Sequence, residues 1–344
     1  MSTLAVPQQI EDVTVERAWP MGDGDAVTLR FEGRDTEGSI RAGVASFEQG
    51  AIASTDVLPP GVDPKLPALA EAPGELIGHR YGKRAVLRDG DRFLKVVRPK
   101  KAADIVERNT LGAEAAAAAG LVAAVPQPTG VGLIATERVP GVSLAEPSAD
   151  PVAWMQAWHS FMVAWPRFAT HEASVPVHSP EREAAVLLEW FEGALDRGVL
   201  VDPGTARSSA HRIADQLATG HPDRLLTSHR DLHEAQLLFD DATGALGILD
   251  LDTLAKAEAA LDLGNLAVHA IWKVAQGVWE RGQGDVVVHA VSATAENLEV
   301  NQHRFKLAQS ATALRLAAVW AYRPRWQAFA QRWLETWLTH PVLG

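Results

Sequence analysis

The chain has 344 residues, enough for one large domain of two lobes or for two separate cores. It contains no cysteine, which excludes disulfides, thiolate nucleophiles and the usual structural zinc sites. Its formal net charge of −11 argues against nonspecific binding to nucleic acid or to anionic lipid. There is no apolar run long enough to span a membrane and no signal-peptide pattern, so we expect a cytoplasmic protein without a membrane partner.

Residues 1–55 are predicted to form an antiparallel β-meander. Short segments alternate apolar and polar side chains, a pattern typical of strands with one buried face. These segments are 13–19, 26–31 and 39–47, with turn sequences at 22–25 and 32–35. The meander is either an accessory module or part of the following lobe. Residues 56–75 carry five prolines and are predicted to be a linker or an extended loop.

Residues 76–140 are predicted to form a β-rich N-lobe with one main helix. The strands are expected at 76–88, in two parts bent around Tyr81–Lys83, at 92–97 after the hairpin signal Asp89–Gly90, and at 131–136. The helix is expected at 102–119, because an alanine-rich run there stops at Gly120.

Residues 141–344 are predicted to form a larger helical C-lobe. Trp154, Trp158, Phe161 and Trp165 recur at the spacing of one helix face, which favours a buried core stripe. A β-rich front followed by a helical back is the segregated α+β arrangement.

The segment most informative about chemistry runs from Ser228 to Gln236 and is followed by an apolar run that ends at Asp250. Asp231 lies five residues before the carboxamide of Gln236. In phosphoryl transfer an aspartate accepts or orients the acceptor hydroxyl, while a carboxamide and a second aspartate hold Mg²⁺ against the nucleotide phosphates. We therefore predict Asp231 as the catalytic residue and Gln236 and Asp250 as metal ligands. Gln236 stands where kinase catalytic loops carry asparagine.

Lys95 lies inside the apolar run Phe93–Val97, where an ammonium is unfavourable unless it meets an anion. Kinases place a lysine on such a strand to reach the nucleotide phosphates and pair it with a helix glutamate. Glu107 and Glu114 are both candidates for this partner, since they lie on one face of the predicted helix. Glu114 is the preferred partner and Glu107 the alternative. The alternative for Lys95 itself is a solvent-facing lysine on an edge strand.

These residues together resemble the aminoglycoside phosphotransferase and choline kinase-like superfamily of bacterial small-molecule kinases. The resemblance rests on 229–236, on Leu249-Asp250 and on Asp262-Leu263-Gly264, and it is looser over 75–145. It implies a bilobal protein-kinase-like fold and a loop-bracing role for Asp262. It also implies that the backbone of Glu137 and Val139, in the connection between the lobes, meets the adenine of ATP.

The resemblance implies an ATP- and Mg²⁺-dependent phosphotransferase whose acceptor is a hydroxyl of an aminoglycoside, an amino sugar or a sugar. The alternative is a catalytically degenerate nucleotide-binding regulatory protein of the same fold, suggested by Gln236 and by the absence of a glycine-rich phosphate loop. A protein acceptor is disfavoured, because the segment between Asp250 and Asp262 is too short for an activation loop.

Overall fold

The first part of the chain forms a five-stranded antiparallel sheet. The computed structural model of the protein describes residues 4–22 and 27–339. In spatial order the strands are β1 (Gln9–Ile10), β2 (Val13–Pro20), β3 (Val27–Arg34), β4 (Ile40–Glu48) and β5 (Ala51–Val57). Side chains in the first half of β2 alternate between buried and exposed, as their sequence predicts. The predicted meander is confirmed, although residues 23–25 of the predicted turn lie outside the described residues.

This first sheet is separate from the next one and packs on helices from the second half of the chain. Phe31 belongs to the same buried core as Phe191 and Leu314. The backbone N–H of Ala18 also donates to the carbonyl of Tyr322 at 2.9 Å. The sheet therefore joins the C-lobe through apolar burial, the largest favourable contribution to folding.

The second sheet is the core of the N-lobe, and its strands are antiparallel. Its spatial order is β6 (Glu75–Arg80), β7 (Arg84–Asp89), β8 (Arg92–Val97), β10 (Leu133–Glu137) and β9 (Gln127–Gly130). The predicted hairpin after Asp89 is present, and Gly90 takes a positive φ of 61° in its turn. The single helix of this lobe, α1 (Pro99–Ala119), ends at Gly120 in the left-handed conformation.

The proline-rich segment between the two sheets is ordered by buried contacts. It contains a short 3₁₀ helix, Pro67–Glu71, and it places Leu66 in the core of the second sheet. The carboxylate of Asp63 accepts the backbone N–H of Gly82 at 2.6 Å and lies 3.0 Å from the ring nitrogen Nε2 of His79. The segment thus holds the turn between β6 and β7 in place.

The C-lobe consists of seven helices and five short strands within the described residues. The helices are α2 (Pro151–Thr170), α3 (Pro180–Asp196), α4 (Ala206–Thr219), α5 (Ala259–Ala275), α6 (Arg281–Asn297), α7 (Gln302–Trp320) and α8 (Gln327–Thr339). The strands are β11 (Val142–Ser143), β12 (Leu225–Ser228), β13 (Leu237–Asp240), β14 (Ala245–Ile248) and β15 (Ala255–Glu258). β11, β13 and β14 form one small sheet, and β12 pairs with β15.

The aromatic stripe on α2 is buried, as its spacing predicts. Trp158 and Trp165 are 1% exposed and Phe161 is fully buried. Their rings contact one another edge-on or stacked at centroid distances of 5.5–5.8 Å. The stripe is core, and the chain has the predicted α+β, kinase-like arrangement of a β-rich front and a helical back.

Candidate active site

The loop between β12 and β13 carries Asp231 and is braced from beneath by Asp262. The carboxylate of Asp262 accepts the backbone N–H groups of His229 and Arg230, each at 2.7 Å. Complete burial raises the pKa of Asp262, and the two N–H donors favour its ionised form. Arg230 has a positive φ of 68°, a conformation that L-residues keep only when their surroundings hold them. Asp262 therefore has the bracing role expected for it.

The same loop is tied to the chain around Asp250. The ring nitrogen Nε2 of His229 lies 2.7 Å from the carbonyl oxygen of Leu249, and the hydroxyl of Thr253 donates to the carbonyl of His229 at 2.8 Å. These bonds fix the spacing between Asp231 on one segment and Asp250 on the other. His229 is thus a positioning residue.

A cavity of about 460 Å³ lies between the second sheet and the small sheet of the C-lobe, and we call it the interlobe pocket. Its walls are largely apolar, which suits a flat heterocycle. Five of the predicted site residues line it, namely Lys95, Glu137, Val139, Gln236 and Asp250. The structure therefore brings together, in one cavity, residues separated by up to 155 positions.

The charged end of the interlobe pocket is a lysine between two aspartates. Lys95 Nζ donates to Asp250 Oδ1 and to Asp252 Oδ1, each at 2.9 Å. Burial opposes the charge on Lys95, but Asp250 and Asp252 raise its pKa above its ordinary value. Burial also opposes ionisation of Asp250, but Lys95 and Arg84 hold its pKa well below its ordinary value. Asp250 has a left-handed φ of 53°, a second strained position at this site.

The acidic partners of Lys95 differ from the predicted one. Both Glu114 and Glu107 lie on exposed faces of α1, and in the described residues the carboxylates that pair with Lys95 belong to Asp250 and Asp252. The helix contributes Asn109, whose Nδ2 donates to Asp252 Oδ1 at 2.8 Å. The periodicity places the two glutamates on one face, but that face points away from the pocket.

Gln236 lies beside Asp250 in the interlobe pocket, at the end of the 3₁₀ turn that follows His233. Its side-chain nitrogen is 3.4 Å from His233 Nε2, so the amide nitrogen points toward the ring. The carboxamide oxygen and the ionised Asp250 are hard oxygen donors of the kind Mg²⁺ prefers. The predicted pair of ligands therefore fits a magnesium ion by donor chemistry.

Asp231 opens into a second cavity, of about 670 Å³, which we call the Asp231 pocket. The side chain of Asp231 is exposed. The two cavities share Ile77, Arg84 and Val86 on β6 and β7, so they meet along that strand pair. Arg84 reaches from this boundary to Asp250 Oδ2, at 3.4 Å.

The sequence did not reveal most of the residues that line the Asp231 pocket. Its far wall combines Trp19 from β2 with Trp320 from α7, and Arg80 and Arg323 stack on those two rings. The guanidinium carbons lie 4.7 Å and 3.7 Å from the respective ring centroids. The only signal available was the number of tryptophans, 11 in all, which does not identify these two.

Glu183 on α3 is a buried carboxylate beneath the Asp231 pocket. It lies 2.9 Å from the ring nitrogen of His178, 3.4 Å from Arg315 and 3.9 Å from Arg230. Burial opposes its charge, but these three neighbours lower the pKa of Glu183 to about 2. Glu189 on the same helix is exposed, so the acids of α3 do not all lie on its solvent face.

His233, Glu234 and His269 form a cluster next to Asp231, with donor atoms within 4.8 Å of one another. The ammonium of Lys273 lies 3.2 Å from Glu234 Oε1 and neutralises it. The two imidazole rings are stacked with centroids 4.9 Å apart, and burial is the main reason that the pKa of His233 falls to about 4. The cluster is therefore an ion-paired, packed support for the loop.

Comparison with known proteins was made against family models, curated sequences and solved structures. A model described as the phosphotransferase enzyme family matches residues 74–296. No curated protein sequence matches significantly.

Two solved structures illustrate the structural similarity. One is a choline/ethanolamine kinase family protein from Mesorhizobium loti, 16% identical, with a TM-score of 0.52 over 80% of this chain and 92% of the other. The second is the choline kinase LicA from Streptococcus pneumoniae, 12% identical, with a TM-score of 0.52 over 76% of this chain and 92% of the other. At these identities the likeness extends to the fold alone.

The helices were also compared with the length and apolarity that a bilayer requires. Among the described residues, none is both long enough and apolar enough to cross a membrane.

Proposed function

Because the chain belongs to the phosphotransferase enzyme family and is a small-molecule kinase, we propose that it transfers the γ-phosphate of ATP, with Mg²⁺, to a hydroxyl of a sugar-like molecule. The observation that carries this proposal is the pair of adjoining cavities. Asp250 and Gln236 lie in one and Asp231 opens into the other, with β6 and β7 forming the boundary. A donor and an acceptor bound on either side would meet at that boundary.

The interlobe pocket is the proposed ATP site. The adenine would lie between apolar side chains such as Ile134 and Ile248, against the backbone of Glu137 and Val139. Lys95 would give up some of its hydrogen bonds to Asp250 and Asp252 and contact the α- and β-phosphates of ATP instead. An ammonium group can do so because it binds phosphate as a point charge.

Gln236 and Asp250 would hold Mg²⁺ through their side-chain oxygens. The ion would neutralise charge on the β- and γ-phosphate oxygens. The low pKa of Asp250 keeps it ionised and able to bind a cation throughout the neutral range. Arg84, at the edge of both cavities, would add positive charge beside the transferred group.

Asp231 would aim the acceptor oxygen at the γ-phosphorus and receive its proton. In the transfer a bond forms between the acceptor oxygen and phosphorus, and the bond from phosphorus to the bridging oxygen breaks. ADP leaves with the bridging electron pair, and the hydroxyl proton goes to the Asp231 carboxylate. Because the transition state of such transfers is loose, positioning contributes more than proton abstraction.

The charged lining of the Asp231 pocket favours a sugar over an aminoglycoside or another polyamine. Six cationic side chains and three carboxylates line the cavity, so several ammonium groups would meet net repulsion. Trp19, Trp190 and Trp320 also line it and offer flat apolar faces of the kind that pack against a sugar ring.

The test is an ADP-release assay with Mg-ATP and separate acceptors: glucose, glucosamine, an aminoglycoside and choline. We expect turnover with a sugar, lowered at least about 10²-fold in Asp231→Asn, because a positioned acid or base contributes that much. ATP binding should be unchanged in that variant. Asp241→Asn, on the exposed turn between β13 and β14, is the matched control. Wild-type turnover in Asp231→Asn would contradict the proposal. An ATP affinity that does not depend on Mg²⁺ would contradict it as well.

A further inference from the structure

The Asp231 pocket is positively charged in a chain whose net charge is −11. Its cationic lining residues are Arg17, Arg80, Arg84, Lys273, Arg315 and Arg323, and its carboxylates are Glu32, Asp231 and Glu234. The charge of the pocket is thus opposite in sign to that of the chain as a whole. Such a local reversal raises the concentration of an anionic ligand at the site.

Four of these six cations are already matched by a carboxylate, including Arg84, which lies 3.4 Å from Asp250. Arg17 pairs with the buried Glu32 at 2.6 Å, and Lys273 with Glu234 at 3.2 Å. Arg315 pairs with Glu183 at 3.4 Å. The positive charges of these residues are therefore neutralised by ion pairs within the protein.

Arg80 and Arg323 are different. Throughout 4–22 and 27–339, neither has a carboxylate within ion-pairing distance, and the Nε of Arg80 is buried without a hydrogen-bond partner. Each lies over a tryptophan ring, which fixes the plane of the guanidinium without neutralising it. Two oriented and unmatched guanidinium groups therefore line the same cavity.

The electrostatic state of the two arginines agrees with this geometry. Burial lowers the pKa of Arg80 to about 10, and the neighbouring Arg84 lowers it in the same direction. Burial and Arg17 lower the pKa of Arg323, also to about 10. Both remain charged at neutral pH, and the carboxylate of Glu32, which is itself paired with Arg17, acts on both pKa values in the opposite direction.

We propose that the acceptor carries an anionic group, a carboxylate or a phosphate, and that Arg80 and Arg323 bind it in the Asp231 pocket. This inference rests on the proposed function, which it makes more specific. A planar guanidinium can donate two parallel hydrogen bonds to either group. The phosphates of ATP are not the anion in question, because both arginines line the Asp231 pocket and neither lines the interlobe pocket.

Much of this site lies outside the segment matched by the family model. Trp19 precedes residues 74–296, and Trp320 and Arg323 follow them. Only Arg80 lies within the matched segment. The anion site is therefore a property of this chain, built by its first sheet and the end of α7 around a shared catalytic frame.

The experiment compares acceptors that share a ring and differ in charge. Glucose, glucuronate, glucose 6-phosphate and glucosamine are assayed for kcat/KM by ADP release in the wild type, in Arg80→Gln/Arg323→Gln and in Arg323→Lys. The matched control is Arg325→Gln, an exposed arginine over Trp326 that does not line the pocket. Binding of the same four compounds is measured by calorimetry with Mg²⁺ and a non-hydrolysable ATP analogue.

We expect the kcat/KM of one anionic compound to exceed that of glucose at least about tenfold, which corresponds to the free energy of one charge-assisted hydrogen bond. Which of the two does so distinguishes a carboxylate from a phosphate. The preference should be lost in the double variant, weakened in Arg323→Lys and kept in Arg325→Gln. Wild-type protein that prefers glucose or glucosamine, in turnover or in binding, would overturn the inference even if the double variant does not fold.

Failure of the proposed function has a different signature. Anion binding that depends on Arg80 and Arg323, without transfer to any compound, would leave the anion site standing and remove the assigned transfer. Phosphate transfer to glucose at the same kcat/KM as to the charged sugars would support the assigned transfer and remove the anion site.

Discussion

The two cavities of this protein share a boundary but draw on different parts of the chain. Every residue that lines the interlobe pocket falls within the segment matched by the family model. Eight of the residues lining the Asp231 pocket fall outside it, three from the first sheet and five from 315–323. The interlobe pocket is thus built entirely from the matched segment, whereas part of the wall of the Asp231 pocket, which we propose to hold the acceptor, comes from residues that the family model does not cover.

The largest expected effect is in the interlobe pocket, the proposed ATP site. Asp250→Asn removes the carboxylate charge that we propose to bind Mg²⁺ and leaves Lys95 with Asp252 alone. We expect kcat to fall at least about 10²-fold, as when a preorganised charge is removed from a transition state. ATP binding should also lose its dependence on Mg²⁺, measured by titration with and without the ion.

Asp241→Asn is again the control for this change. Unaltered Mg²⁺ dependence in Asp250→Asn would mean that Asp250 is not a metal ligand and would weaken the contrast between the two cavities.

An intermediate effect is expected beneath the Asp231 pocket. In Glu183→Gln the cations Arg230 and Arg315 lose their shared carboxylate, and breaking such a buried pair lowers the free energy of unfolding by about 3 kcal/mol at pH 7. The folded pKa of Glu183, about 2, lies below its unfolded value, so its stabilisation is complete above about pH 4.5 and declines as the pH falls toward 2.

The difference in the free energy of unfolding between the wild type and Glu183→Gln, which we call the stability gap, should therefore become smaller as the pH falls below about 4.5. Urea unfolding at pH 7, 5, 4 and 3 measures it. Glu189→Gln, an exposed position on the same helix, should show no gap at any pH. A gap independent of pH would show that the carboxylate charge is not what stabilises this wall.

The smallest expected effect separates two residues of α1. Asn109→Ala removes the bond from Nδ2 to Asp252 and should raise the KM for ATP by about fivefold, the equivalent of one ordinary hydrogen bond. Glu114→Gln should change it less than twofold, because that side chain is exposed on another face. Steady-state kinetics measures both KM values. A larger increase in the KM for ATP in Glu114→Gln than in Asn109→Ala would support the pairing of Glu114 with Lys95 that the sequence predicted.

The contrast between the cavities also explains what the sequence could and could not predict. Asp231, Gln236 and Asp250 were predictable because a short segment carries their spacing, whereas the bracing role of Asp262 followed from the family resemblance alone. The partner of Lys95 was missed because it depends on which face of α1 is turned inward, and the face that carries Glu107 and Glu114 is turned outward.

The far wall of the Asp231 pocket was missed for a different reason. Trp19 and Trp320 come to line one cavity only after the first sheet has packed on the last helices, and no local pattern predicts that packing. The strands themselves were predictable from alternation, since that pattern needs no knowledge of the partner surface. The stacking of Arg80 on Trp19 was not predictable in this way, because the two residues are brought together only by tertiary packing.

The bond from Ala18 to Tyr322 has a consequence for how the protein is made. The same junction includes a hydrogen bond from Gln327 Nε2 to the carbonyl of Leu4, across 323 positions of sequence. At ribosomal speeds of about 5–20 residues per second, the first sheet waits roughly 15–60 s for α7 and α8. During that wait only α3 and α4 are available to cover its apolar face, so chaperone binding during translation should begin with β2 to β4 and end when α8 emerges.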